Sequence, residues 1–154
     1  MKITLLVVGR LGRGPEGALA RDYADRATAA GRALGLGPVE IVEVEARKPG
    51  KAAEAEALKA HLADAHVIAC DEHGTARPSR AFAGEIAGLR DRGVRRLVFL
   101  IGGADGLDPE LRARADEQLA FGPQTWPHAL ARAMLAEQLY RAVAILSGAP
   151  YHRD

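Results

Sequence analysis

The sequence predicts a single α/β domain built on a mainly parallel sheet with helices on both faces. Three observations carry that expectation. Short runs of branched apolar residues recur along the chain, bounded by glycine or charge, as strands buried on both faces do. Amphipathic stretches separate them, so strand and helix alternate. At 154 residues the chain has the length of one domain, 1–154, with no internal repeat or low-complexity linker to divide it.

The elements follow in order. "ITLLVVG" (3–9) reads as a buried strand ending at Gly9. Residues 15–34 open with Pro15 at a first helical position and continue as a helix. "VEIVEVEA" (39–46) alternates Val39, Ile41 and Val44 against glutamates, which predicts a strand with one exposed face at a sheet edge. Residues 51–65 are helical by propensity, and "HVIAC" (66–70) is a third strand. Residues 79–93 read as a helix closed by Gly93, and "RRLVFLIGG" (95–103) is the most apolar strand. Residues 108–119 read as a helix with Asp108 at its N-cap, Pro109 at N1 and Glu110 in the first turn. A brief strand is expected at 120–122. The longest helix is expected at 127–146, with Ala131, Met134, Leu135, Leu139, Ala142, Val143 and Leu146 on one face.

Composition narrows the function. With 48% hydrophobic and 27% charged residues the chain is globular and not disordered. Twenty-one basic side chains against 20 acidic ones give a net charge of +1, so an RNA partner would have to be held by a local patch or a dimer's pooled patches. One cysteine excludes an internal disulfide and fits a reducing cytoplasm. The apolar run at the N-terminus is too short for a signal sequence, and no stretch reaches membrane-span length.

In a parallel sheet, ligands bind beyond the carboxyl ends of the strands. "GRGPEG" (12–17) matches a dinucleotide fingerprint, but Pro15 stiffens the loop and the next strand-end acids, Glu43 and Glu45, fall too far along for the ribose. Cys70, Asp71 and His73 lack a second cysteine or a spaced histidine pair, so no metal site is expected. The stronger loops are "LIGGADGLDPE" (100–110), where Gly102 and Gly103 permit close backbone approach, and "AFGPQTWPHALAR" (120–132), stiffened by Pro123 and Pro127. Together they suggest a slot for a flat ring.

"ACDEHG" (69–74), "LIGGADGL" (100–107), "TWPHALARAMLAEQLYRA" (125–142) and the terminal "PYHR" (150–153) together resemble the RlmH-type pseudouridine N3-methyltransferases, small SPOUT-class enzymes of large-subunit (23S) ribosomal RNA. The resemblance spans the whole chain. It implies an α/β-knot fold with a C-terminal trefoil knot, a cytoplasmic homodimer, S-adenosylmethionine as methyl donor, and assembled ribosomes as partner. It places the cofactor pocket on Cys70, Gly102, Gly103, Phe121, Gly122, Pro123, Gln124, Thr125 and Trp126. Cys70 stands where the family usually has leucine, and Pro123 and Gln124 replace a commoner basic–apolar pair. It places catalysis on the tail residues Tyr151, His152 and Arg153, with His152 suited to proton transfer, and RNA contact on Arg132 and Arg141. Arg141 also sits four residues after Glu137, the spacing of a helical ion pair. A cofactor-loop role is expected for His128. Two other readings are a ribosome-binding factor of the same fold without catalysis and a dinucleotide-dependent oxidoreductase.

Overall fold

The computed structural model describes residues 1–153; Asp154, at the end of the tail, lies outside them. The strands are β1 (Lys2–Val8), β2 (Val39–Val44), β3 (His66–Ala76), β4 (Arg96–Ile101) and β5 (Glu117–Ala120). They form one sheet in the order β2-β1-β4-β3-β5, with every neighbouring pair parallel. The helices are α1 (Pro15–Gly31), α2 (Lys51–Lys59), α3 (Ser79–Asp91), α4 (Pro109–Ala113) and α5 (His128–Ser147).

Alternation along the central strands feeds two cores. Ile3, Leu5 and Val7 of β1 and Leu97, Phe99 and Ile101 of β4 point to the face covered by α1, α3 and α5. Leu6, Val8, Val98 and Leu100 point to the other face, under α2 and α4. Each such side chain removed from water contributes about 1.5–3 kcal/mol. On the first face Phe99 lies with its ring centroid 6.0 Å from that of Phe82. Small residues on both helices, Ala20, Ala24 and Ala27 on α1 and Ala133, Ala136 and Ala142 on α5, are buried in this core.

The expected edge position of β2 and the capped start of α4 are present: Asp108 Oδ1 accepts from the amides of Glu110 at 2.9 Å and Leu111 at 3.2 Å. Four expectations are corrected. The helix expected over 108–119 stops at Ala113, because the chain must turn there to pair with β3. Asp116 N donates to Val67 O at 2.9 Å, Val67 N donates to Asp116 Oδ2 at 2.8 Å, and Leu119 and Ala120 are buried on the sheet. Tertiary pairing overrides helix propensity, and β5 begins at Glu117 instead of 120. Likewise α2 ends at Lys59, not at residue 65.

The third strand does not end at Cys70. β3 runs on to Ala76, pairing Cys70 and then Thr75 with the same residue, Leu119, so residues 71–74 bulge out of the ladder. Gly74 makes the bulge possible: a Cβ there would lie 2.7–2.8 Å from backbone atoms of Leu119 and Gln118. Among the described residues no helix is long and apolar enough to cross a membrane.

Candidate active site

A cavity of ≈ 620 Å³ opens beyond the carboxyl ends of β4 and β5 and beside the bulge of β3. That volume suits a cofactor-sized ligand. Its floor comes from the end of β4. Ile101 is followed by Gly102, where a Cβ would stand 2.5 Å from Gly106 C and 2.7 Å from Leu107 N. Any side chain at 102 would force the next turn away. Residues 103–106 fold back as that turn, with Gly106 N donating to Gly103 O at 3.0 Å and Gly106 at φ +79°.

The opposite wall is the segment between β5 and α5. Phe121 is half-buried, Thr125 Oγ1 donates to Glu72 Oε2 at 2.6 Å, and Trp126 stands at the rim, 38% exposed. The Thr125–Glu72 bond ties this wall to the β3 bulge. Of the residues expected at the cofactor pocket, Cys70, Gly102, Gly103, Phe121, Gln124, Thr125 and Trp126 line the cavity. Gly122 faces a neighbouring cavity, and Pro123 lines neither.

The lining is apolar at Ile101, Leu107 and Ala131 and acidic at Asp71, Glu72 and Asp105. Burial raises the Asp71 carboxyl, but bonds from His73 and Arg112 outweigh it and hold its pKa below the usual value. The shape and charge fit an amphipathic cation with a flat ring, such as S-adenosylmethionine. Burial pushes the Cys70 thiol up to about 12, which leaves it a neutral apolar surface and not a nucleophile. His128 borders the cavity, and burial followed by Arg132 lowers its pKa, favouring the neutral imidazole. Asp71, weighed in the sequence only as a metal ligand, and Glu72 were not expected at the cofactor pocket, because only the β3 bulge brings them to the rim.

Besides Gly122 and Pro123, the structure moves Arg132 away from its expected place. Expected at an RNA-binding surface, it is fully buried, its guanidinium donating to the carbonyls of Val8 and, at 3.1 Å, Gly9. Its Nε has no partner among the described residues. Buried behind the cavity, it ties the exit of β1 to α5.

The tail is folded onto α5 by a cluster of rings and charges. Tyr151 Oη donates to Glu137 Oε1 at 2.9 Å and lies 3.3 Å from Tyr23 Oη. The same Glu137 oxygen accepts from Arg141 Nε at 3.0 Å and Nη2 at 2.5 Å, so the helical ion pair expected from spacing is formed. Gln138 Nε2 donates to the other oxygen at 2.7 Å. The Tyr151 ring meets Tyr140 edge-on with centroids 4.6 Å apart, and the Arg141 guanidinium lies 4.9 Å from its centroid. Burial, then the contacts with Tyr23 and Glu137, raise the Tyr151 phenol, so it stays protonated. His152 Nδ1 lies 3.3 Å from Arg141 Nη1, and Arg153 is exposed. None of these tail residues lines the cavity of its own chain.

A doubly covered parallel sheet with a glycine-floored cavity at its carboxyl edge defines a nucleotide-type binding fold. The family described as "Predicted SPOUT methyltransferase" matches residues 1–152. The chain therefore belongs to the SPOUT methyltransferase family. It is 77% identical, over the full length of both chains, to a "Ribosomal RNA large subunit methyltransferase H" of Phenylobacterium zucineum (strain HLK1). It is 76% identical, again over both full lengths, to the protein of that description in Caulobacter sp. (strain K31). Among solved structures it is similar to a probable methyltransferase from Bordetella pertussis Tohama I, with a TM-score of 0.55 at 19% identity over 92% of this chain and 96% of that one. A probable methylase family protein from Haemophilus influenzae Rd KW20 gives 0.54 at 14% identity, covering 99% and 70%. At these identities the two structures speak for the fold alone.

Proposed function

We propose that the protein transfers a methyl group from S-adenosylmethionine to N3 of a pseudouridine in the 23S ribosomal RNA of assembled ribosomes, in the cytoplasm. The observation that carries this reading is the cavity that Gly102–Gly103 and the 121–126 segment form on a chain that matches ribosomal RNA methyltransferases over its whole length. When bound, the cofactor supplies an already activated methyl group. The chain's own part is to hold the acceptor nitrogen in line with it, to exclude water and to take up the N3 proton; alignment alone supplies about 7–11 kcal/mol in favourable cases.

The acidic rim at Asp71, Glu72 and Asp105 complements a cationic donor, and the glycine backbone and Thr125 give polar groups for its edge. In the tail, His152 has the side chain suited to accept or relay a proton near neutral pH. Arg153 offers a guanidinium to phosphate or to charge on the uracil carbonyls. Tyr151, protonated and clamped, anchors both, and Arg141 serves the RNA by holding that anchor.

The reading includes a homodimer. The tail is fastened at Glu137 to Arg141, while the cavity meets the same helix at His128 to Ala131; nine residues of helix span about 13 Å. A tail that serves catalysis is best placed to serve the cavity of a second copy. An apolar cavity of ≈ 530 Å³ between α1, α3 and α5, with Leu19 45% exposed at its edge, offers a face for that copy. The reading also includes the C-terminal trefoil knot that the family resemblance implies.

Calorimetry with S-adenosylmethionine and with NAD tests the cofactor, and only the first is expected to bind. In the dinucleotide reading Gly17 would serve a ligand; here it packs against Leu11, where a Cβ would lie 3.0 Å from the Leu11 Cβ. Mass spectrometry of ribosomal RNA from a deletion strain tests the reaction. A methyl group still present on that pseudouridine would refute it, and would favour the non-catalytic factor.

A further inference from the structure

The loops after β1 and β2 belong neither to the cavity lining nor to the tail. Because the strands run parallel, these loops leave the sheet at the cavity's edge. They are stitched together. Gly9 N donates to Val44 O at 2.8 Å, Leu11 N donates to Glu43 Oε1 at 3.0 Å, and Arg10 pairs with Glu45 at 3.2 Å. They also adjoin the cavity floor, since Glu54, one turn into α2 from Lys51, lies 3.3 Å from where a Cβ on Gly103 would stand.

Residues 10–13 and 47–51 carry five basic and no acidic side chains, flanked by Glu16, Glu43, Glu45 and Glu54. Among the described residues, Glu45 is the one of these four acids that pairs with a basic side chain of the two segments, Arg10. Arg13, Arg47, Lys48 and Lys51 are all exposed and have no carboxylate partner among the described residues. Elsewhere Lys59, Arg77, Arg112 and Arg141 are each paired with an acid, while Arg32 and Arg95, which are not, lie at the amino ends of the strands, away from the cavity. In a chain of net charge +1, these two loops concentrate uncompensated cations beside the cavity mouth.

We infer that residues 10–13 and 47–51 form the grip on the RNA backbone: phosphates of the stem bearing the target base lie across Arg13, Arg47, Lys48 and Lys51 while the base reaches the cavity. This rests on the methyl-transfer reading above. Cations that hold phosphate release counterions, so binding falls with salt by a slope of about 0.9 per contact on a duplex.

The test uses the full-length R13A/R47A/K48A/K51A variant and unmethylated ribosomes from a deletion strain. Affinity for S-adenosylmethionine should stay within about twofold, because none of the four residues lines the cavity. The slope of log Kd against log salt should fall by about 3–4, and KM for ribosomes should rise at least about tenfold at 150 mM salt with kcat within about threefold. The single K48E, on an exposed loop, should shift slope and KM in the same direction and guards against misfolding of the quadruple variant. R32A/R95A, at the opposite edge of the sheet, should leave the slope unchanged. A wild-type protein that methylates ribosomes while both patch variants keep its slope and KM overturns the inference alone. A wild type that neither binds nor methylates ribosomes overturns it together with the proposed function.

Discussion

Gly102 shows how much one missing side chain decides. A Cβ there meets the backbone of Gly106 and Leu107 at 2.5–2.8 Å, and backbone cannot swing aside as a flexible side chain can. G102A should therefore displace the 103–106 turn, cost about 1–3 kcal/mol by overpacking, and weaken S-adenosylmethionine binding at least about tenfold; calorimetry and urea melts read the two effects separately. At Glu137, one carboxylate oxygen holds both Tyr151 and Arg141. Y151F removes a hydrogen bond worth about 0.5–1.5 kcal/mol and should lower kcat at least about tenfold while cofactor affinity stays unchanged, with single-turnover methylation as the check. At this scale the sequence was legible where roles are local. The Asp108 cap and the Glu137–Arg141 pair follow from spacing. Arg132 was not legible, because nothing in a helical register says that a guanidinium will be walled in by the carbonyls of Val8 and Gly9, more than a hundred residues away.

Among the elements, β3 and β5 depart most from a local reading, and one buried cluster explains how they are held. Arg77, the residue after β3, pairs with Glu117 of β5 at 2.8 Å and with Glu85 of α3 at 3.3 Å, while His66 Nε2 lies 3.0 Å from the other oxygen of Glu117. Burial, then the hydrogen bond to Glu117, raise Glu85 to about 7; Arg77 and Arg92 pull the other way. Glu117 is lowered, first by its bond with Glu85 and also by His66 and Arg77. The signs oppose. A carboxyl raised by folding contributes stability that is complete below its unfolded pKa and is lost as pH climbs through about 7. The lowered Glu117 contributes stability present above its unfolded pKa and lost as pH falls. E85Q removes the first contribution, so between pH 5 and pH 8 the wild type should lose about 1 kcal/mol relative to E85Q, solvent screening included. Urea melts across that range check this, and parallel curves would contradict it. Strand pairings of this kind are long-range, which is why residues 114–119 read as helix in isolation, whereas in the fold Glu117–Ala120 form β5.

For the whole molecule, the alternation of apolar runs and amphipathic helices was enough to give a doubly covered parallel sheet, and the carboxyl-edge rule pointed to loops that line the ≈ 620 Å³ cavity. Whole-chain motif resemblance added the family, which the matching relatives establish. The separation of tail from cavity was not legible, because it depends on where α5 folds back. That separation leads to a test of the assembly. A chain lacking residues 150–154 should bind the cofactor and fail to turn over, and G102A should keep its tail and fail to bind. Mixed together they should recover about a quarter of wild-type activity, the statistical share of composite sites in a two-fold dimer. No recovery from mixed chains, with sedimentation showing monomers, would contradict a shared site.

One cavity, between Gly102–Gly103 and Phe121–Trp126, carries the proposed chemistry. A crystal structure of the full chain grown with S-adenosylmethionine tests it most directly. Density for the donor is expected between Gly102–Gly103 and Phe121–Trp126, with its sulfonium methyl facing the opening. Density for the donor anywhere else on the chain, with this cavity empty at saturating ligand, would contradict it.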